Sequence, residues 1–216
     1  MNLREKYGEW GIILGATEGV GKAFAEKIAS EGMSVVLVGR REEMLQELGK
    51  NISETYGVDH MVIRADFAQS DCTDKIFEAT KDLDMGFMSY VACFHTFGKL
   101  QDTPWEKHEQ MINVNVMTFL KCFYHYMGIF AKQDRDAVIN VSSLTAISSS
   151  PYNAQYGAGK SYIKKLTEAV AAECESTNVD VEVITLGTTI TPSLLSNLPG
   201  GPAGEAVMKT AMTPEA

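Results

Sequence analysis

Several things are scarce in this chain, and each scarcity excludes a class of protein. The four cysteines, Cys72, Cys93, Cys122 and Cys174, are scattered through 216 residues with no CxxC pair, so neither a disulfide framework nor a zinc site is indicated, and reduced, mostly buried thiols are expected. His60, His108 and His125 lack ligand spacing, and no metal is expected. Prolines number six and no internal repeat is visible, which argues against disorder, collagen or a solenoid. Cations are in deficit, with 19 Lys and Arg against 28 Asp and Glu for a net charge of −9; such a field repels nucleic acid and anionic membrane surfaces. The longest aliphatic runs, such as Val35-Val36-Leu37-Val38, fall far short of the roughly 20 residues a membrane span needs. Residues 1–10 contain no signal-peptide apolar core. Together these absences predict a soluble, cytoplasmic protein with neither nucleic-acid nor membrane partner.

What is present is a rhythm. Short β-rich runs at 11–14, 34–38, 61–65, 87–92, 137–141 and 181–186 alternate with helical patterns along the whole chain. That alternation predicts an α/β fold: a doubly wound, Rossmann-type parallel sheet with helices on both faces. No linker divides it, so residues 1–216 read as a single dinucleotide-binding domain. Gly32 and Gly57 stand where helices should stop, and Thr103-Pro104-Trp105-Glu106 reads as a capping box with Pro in the first turn. Only residues 188–204, with Pro192, Leu194, Leu195, Pro199, Gly200, Gly201 and Pro202, break the rhythm; they read as a lid or substrate loop. Thr213-Pro214 looks like the start of another helix, which leads to the expectation that a further helix and strand follow Ala216.

After the first strand comes Gly15-Ala16-Thr17-Glu18-Gly19-Val20-Gly21, opening into a helix with Phe24 and Ile28 on one face. Glycines at such a turn let the backbone approach a pyrophosphate, and the helix N-terminus offers free N–H groups. A phosphate-binding loop of the GK[ST] type is excluded, because Ala16 and Ala23 occupy its required positions. The spacing is GxxxGxG rather than GxGxxG, since Phe24 takes the last place. The second strand ends in Gly39-Arg40-Arg41; arginine there suits a 2′-phosphate, where an acid would bind a ribose hydroxyl, so NADP(H) is expected over NAD(H). Asp66, ending the third strand, either accepts from the adenine amino group or caps a helix.

Tyr156-Gly157-Ala158-Gly159-Lys160 opens the helix after the fifth strand. Four-residue spacing puts Tyr156 and Lys160 on one helix face. A free phenol titrates near 10, and a nearby ammonium is expected to draw it down by roughly 1–3 units, making Tyr156 a proton donor and acceptor. Thirteen residues upstream, Ser143 ends the fifth strand at the sheet's carboxyl edge, where doubly wound folds bind ligands; its hydroxyl can donate to a developing alkoxide.

Over essentially its full length the chain resembles the short-chain dehydrogenase/reductase family, through Gly15, Gly19, Gly21, Asp66, Asn115, Ser143, Tyr156 and Lys160. The resemblance implies that Asn115 positions a water leading to Lys160, that Ser143 orients the substrate oxygen and that Tyr156 passes the proton. It implies that Lys160 also binds the nicotinamide ribose and that Thr191 lies near the nicotinamide amide. The cofactor contacts it implies extend to Thr17, Glu18, Val20, Phe67, Ala92 and Thr189, beside Arg40 and Arg41. The opening residues 1–11, Tyr90-Val91-Ala92-Cys93 and Leu186-Gly187-Thr188-Thr189 are similar to a bacterial hydroxysteroid dehydrogenase branch, whose members interconvert 7-keto and 7β-hydroxyl groups on bile acids with NADP(H). Departures from the broader family are Tyr90-Val91-Ala92-Cys93 in place of NNAG, Leu186 in place of the Pro of PG, and Leu14 where Thr is usual. A bile-acid substrate implies a largely apolar pocket, for which Phe94, His95, Phe97, Ser193, Leu194 and Leu195 are the candidates beside Ser143 and Tyr156. A homodimer or homotetramer is implied as well. The alternatives are the same chemistry on another hydrophobic or small carbonyl, and a non-catalytic NADP-sensing regulator, which would have no need of an acid.

Overall fold

A computed structural model describes residues 2–149, 151–197, 201, 207–209 and 211–213, with the backbone alone at 193, 196 and 197. Six strands, β1 (Trp10–Leu14), β2 (Ser34–Gly39), β3 (His60–Arg64), β4 (Met85–Tyr90), β5 (Ala137–Ser143) and β6 (Asp180–Leu186), form one sheet of order β3-β2-β1-β4-β5-β6. Every pairing is parallel. The chain winds outward from β1 in one direction and from β4 in the other. The strand order therefore reverses between β1 and β4, where such sheets open a crevice at their carboxyl ends.

The helices are α1 (Leu3–Tyr7), α2 (Gly19–Ser30), α3 (Glu42–Tyr56), α4 (Cys72–Thr80), α5 (Trp105–Ile112), α6 (Phe119–Gln133), α7 (Ala154–Glu173) and α8 (Pro192–Asn197), with a π-helical turn at Asn113–Thr118 joining α5 to α6. Strand side chains alternate between faces. Ile12, Leu14, Val36 and Val38 enter one buried cluster with Phe119, Tyr126, Phe130 and Ile163. Ile13, Val35 and Leu37 enter the other with Ala25, Ile28, Leu45 and Leu48. Both faces of β1 and β2 are thus covered, which explains why these strands read as unbroken apolar runs.

Gly32 and Gly57 do end helices, at φ of +87° and +69°. The capping box expected at Thr103 does not form. Pro104 is the N-cap of α5 without a side-chain cap, because the Thr103 hydroxyl instead donates to the Lys99 carbonyl at 3.1 Å and closes the preceding turn. Within residues 188–204, expected to be irregular, Pro192–Asn197 is helical, with Leu195 N–H donating to the Thr191 carbonyl at 3.0 Å; residues 198–200 and 202–204 lie outside the described residues. So does the helix start expected at Pro214. Met212 forms an isolated parallel bridge to Thr189, donating to the Thr188 carbonyl at 2.9 Å and accepting from Ile190 at 2.7 Å.

Candidate active site

A cleft of about 440 Å³ opens at the carboxyl edge of the sheet, reaching from Gly15, Arg40 and Asp66 past Ala92 to Ser143, Tyr156, Lys160 and Thr189. Its cofactor-side wall is the turn between β1 and α2. Gly15 adopts φ +105°, and a Cβ there would lie 2.5 Å from the Ala92 nitrogen. At Gly21 a Cβ would lie 1.9 Å from the Gly15 carbonyl oxygen. Glycine is required at both places, at Gly21 to let the turn close on itself. The N-cap of α2, Glu18, makes no side-chain cap bond and the first turn holds no acid. The free N–H groups and the positive end of the helix dipole therefore remain available to an anion.

Thr17, Glu18, Val20, Arg40, Arg41, Asp66, Phe67, Ala92, Thr189 and Thr191 line this cleft with Gly15, whereas Gly19 and Gly21 shape the turn. A Cβ on Gly19 would meet Thr191 Cγ2 at 2.6 Å. Arg40 is exposed, with no ion pair among the described residues. Arg41, expected to read a 2′-phosphate, lines the cleft and is paired with the Glu18 carboxylate at 2.6 Å. Asp66 caps no helix: its Oδ1 accepts from Ala68 N–H at 3.1 Å in a local turn, and α4 starts only at Cys72. Gly15, the bare α2 N-terminus and Arg40 fit the pyrophosphate and 2′-phosphate of an NADP(H) molecule.

At the other end, Ser143 closes β5 and Tyr156 and Lys160 rise from the first turns of α7. Ser143 Oγ accepts two hydrogen bonds from Thr145, from its N–H at 3.2 Å and its hydroxyl at 3.0 Å. Both lone pairs are then occupied, leaving the serine proton to be donated into the cleft. Lys160 is fully buried; its Nζ donates to the Val141 carbonyl at 2.8 Å and lies 5.8 Å from the centre of the Tyr156 ring. Ser142 Oγ donates to the Lys160 carbonyl at 2.8 Å, fixing α7 against β5.

The expected lowering of the Tyr156 pKa does not occur. Burial, added to by Cys93, raises it, against an opposing hydrogen bond from Ser143. Lys160 is itself pushed down by burial, with Cys93 opposing. Asn115 sits in the π-helical turn, where its side chain takes Phe94 N–H at 2.9 Å and donates to Phe94 O at 2.7 Å. That pair pins the backbone entering the substrate side of the cleft.

Phe94, His95, Phe97 and Leu194 line the cleft. The His95 ring lies 5.5 Å from that of Tyr156 and 5.5 Å from that of Phe97, and burial, then the Lys160 charge, pushes its pKa down, keeping it neutral. Leu195 is not brought to the cleft; one step along α8 turns it about 100° away from Leu194, and it is 52% exposed. The Ser193 side chain lies outside the described residues. Sequence reasoning missed Cys93, Gln110, Leu144, Thr145 and Asn153, all at the cleft wall. For Thr145 the signal was its place two residues after Ser143; for Asn153 it was its place three residues before Tyr156. All four cysteines are free, and Cys93 is exposed rather than buried. Among the described residues no group of three or more His, Cys, Asp or Glu could hold a metal, and no helix is long and apolar enough to cross a membrane.

A sheet of this order, with a glycine turn at one end of its carboxyl edge and Ser, Tyr and Lys at the other, has the architecture of a dinucleotide-dependent oxidoreductase. The chain belongs to the short chain dehydrogenase family, whose model matches residues 9–198. It is 76% identical over 215 residues to the 7beta-hydroxysteroid dehydrogenase of Mediterraneibacter gnavus and equally to that of Collinsella aerofaciens, in each case covering 100% of this chain and 82% of the relative. A solved structure from work on 7beta-hydroxysteroid dehydrogenase stereoselectivity, 76% identical, superposes with a TM-score of 0.92 over 100% of this chain and 83% of that one.

Proposed function

We propose that this chain is an NADP(H)-dependent hydroxysteroid dehydrogenase that interconverts the 7-keto and 7β-hydroxyl groups of bile acids. The observation that carries the reading is 76% identity, over all of this chain, to two relatives named for that activity. A cleft walled by Phe94, Phe97 and Leu194 on the substrate side suits a largely apolar steroid. Arg40, free at the cofactor end, favours NADP(H) through a charge-assisted contact with the 2′-phosphate. The regulator reading is disfavoured because Ser143, Tyr156 and Lys160 converge on one cleft.

When bound, the nicotinamide supplies or accepts the hydride. Ser143, its lone pairs taken by Thr145, turns its one proton from the Tyr156 oxygen to the substrate oxygen and holds that oxygen near Tyr156. Tyr156, kept protonated by burial, gives its phenolic proton to that oxygen during ketone reduction and takes it back during alcohol oxidation. Lys160 steadies the phenolate that results. Asn115 acts through Phe94, fixing the backbone beside the reacting carbon. Phe67, Ala92, Thr189 and Thr191 provide the rest of the cofactor wall. The protein works in the cytoplasm as a homodimer or homotetramer of one-domain subunits; the association is supported by exposed Trp105 and Tyr124 on α5 and α6.

The test is a panel of 7-keto and 7-hydroxy steroids with NADPH or NADP, followed by nicotinamide absorbance, with the product epimer separated by chromatography. Turnover of 7-keto bile acids to the 7β-alcohol is expected. Absence of turnover, or a 7α product, overturns the reading.

A further inference from the structure

Asn153 is left unused by the scheme above, and three observations set it apart. It occupies the position before α7, where asparagine is among the best N-caps because its oxygen takes a first-turn N–H; here it makes no such bond. Its Oδ1 is instead sealed from solvent with no hydrogen-bond partner, in a residue 8% exposed. The residue before it, Tyr152, sits at φ +64°, strained for a bulky L-residue, with its carbonyl tied to Gly98 N–H at 2.9 Å. Asn153 thus stands in the wall of the main cleft one helical turn before Tyr156, and it also borders a neighbouring cavity of about 10 Å³.

A buried acceptor without a donor is destabilising, and so is a left-handed tyrosine. Both unfavourable features fall on the same short segment of the cleft wall. What would satisfy Oδ1 is a donor. The reacting ketone oxygen is not one, and it is already served by Ser143 and Tyr156. A hydroxyl elsewhere on the substrate is a donor. We propose that Asn153 is a specificity-determining residue whose side-chain oxygen, covered in this structure, turns into the cleft when substrate binds and accepts a hydrogen bond from a second hydroxyl of the steroid. The cleft then favours ketones carrying such a hydroxyl over those lacking it. This rests on the steroid reading above.

The test compares wild type, Asn153→Leu and Asn153→Ser on 7-keto steroids bearing hydroxyls at C3 and C12 and on matched compounds with either one removed. For wild type, removing the recognised hydroxyl is expected to lower kcat/KM by about ten- to a hundredfold, because Oδ1 is left unpaired in the complex. In Asn153→Leu the matched compounds converge, and calorimetric binding of the hydroxylated steroid converges with them. Asn153→Ser restores part of the preference. The melting temperature of substrate-free Asn153→Leu is expected to equal or exceed that of wild type, since a buried orphan acceptor has been removed; a plain capping role requires a decrease. Retained preference in a folded Asn153→Leu, or equal loss on every substrate with a lowered melting temperature, overturns the proposal. If wild type turns over none of these ketones, the steroid reading fails; if it turns them over without regard to either hydroxyl, only the proposal for Asn153 fails.

Discussion

Thr145→Val is the sharpest perturbation of the proton machinery that leaves every reacting group in place. Valine keeps the shape of threonine and the backbone N–H that reaches Ser143 Oγ at 3.2 Å, and deletes only the hydroxyl that donates to the same oxygen at 3.0 Å. With one lone pair freed, the serine proton is no longer confined to the cleft and Ser143 loses part of its orientation toward the substrate oxygen. A neutral hydrogen bond contributes about 1 kcal/mol net. If that is expressed in the transition state alone, kcat falls about fivefold and KM stays close to wild type. Thr145→Ser keeps the hydroxyl and should hold kcat within about twofold. The assay is steady-state ketone reduction with saturating NADPH, with melting curves to show that the variants are folded. Wild-type kcat in Thr145→Val, or equal impairment of the Ser and Val variants, would refute the reasoning that Thr145 orients Ser143.

Tyr156→Phe should lower kcat by about 10²–10⁴-fold while NADPH affinity, read by fluorescence titration, changes little; near-normal turnover contradicts the assigned proton donor. Because burial raises the Tyr156 pKa, the phenol stays protonated at neutral pH, so ketone reduction should be flat across about pH 6–8 and alcohol oxidation should climb with pH; the opposite profiles count against this account. Arg40→Ala should reduce kcat/KM for NADPH about ten- to a hundredfold and leave NADH almost unchanged, and an equal effect on both cofactors excludes a 2′-phosphate contact. Asp136 is buried and titrates at about 7, raised chiefly by burial against the opposing Arg135 N–H and charge. The folded chain holds this proton over a range, about pH 4–7, in which the unfolded chain loses it, so stability falls as pH rises through that window and then levels off. Asp136→Asn should therefore stabilise by up to about 4 kcal/mol at pH 8 and by nothing below about pH 4, measured by urea unfolding; a gain that does not depend on pH refutes it.

Patterns local in sequence carried most of the architecture. The apolar runs of β1 and β2, the left-handed stops at Gly32 and Gly57, and the GxxxGxG turn are all set within a few residues by backbone sterics and side-chain burial, and they stand in the structure where the sequence places them, whereas the fourth strand, expected at 87–92, spans Met85–Tyr90. The four-residue spacing of Tyr156 and Lys160 was likewise legible, since helical geometry alone puts them on one face. What needed the tertiary structure was every property that depends on segments distant in the chain. The ion pair that joins Arg41 to Glu18 at 2.6 Å beside the cleft is one such property. The Tyr156 phenol looks activated by its lysine until burial in the cleft, with Cys93 adding to it and only the Ser143 hydrogen bond opposing, raises its pKa. Leu195 is indistinguishable from Leu194 until α8 turns one toward the cleft and the other to solvent. Asn153 reads as an ordinary helix cap, and only the strained Tyr152 and the packing around its side chain show an oxygen left without a partner. Desolvation and long-range pairing are properties of the assembled volume, and a linear pattern of residue types does not contain them.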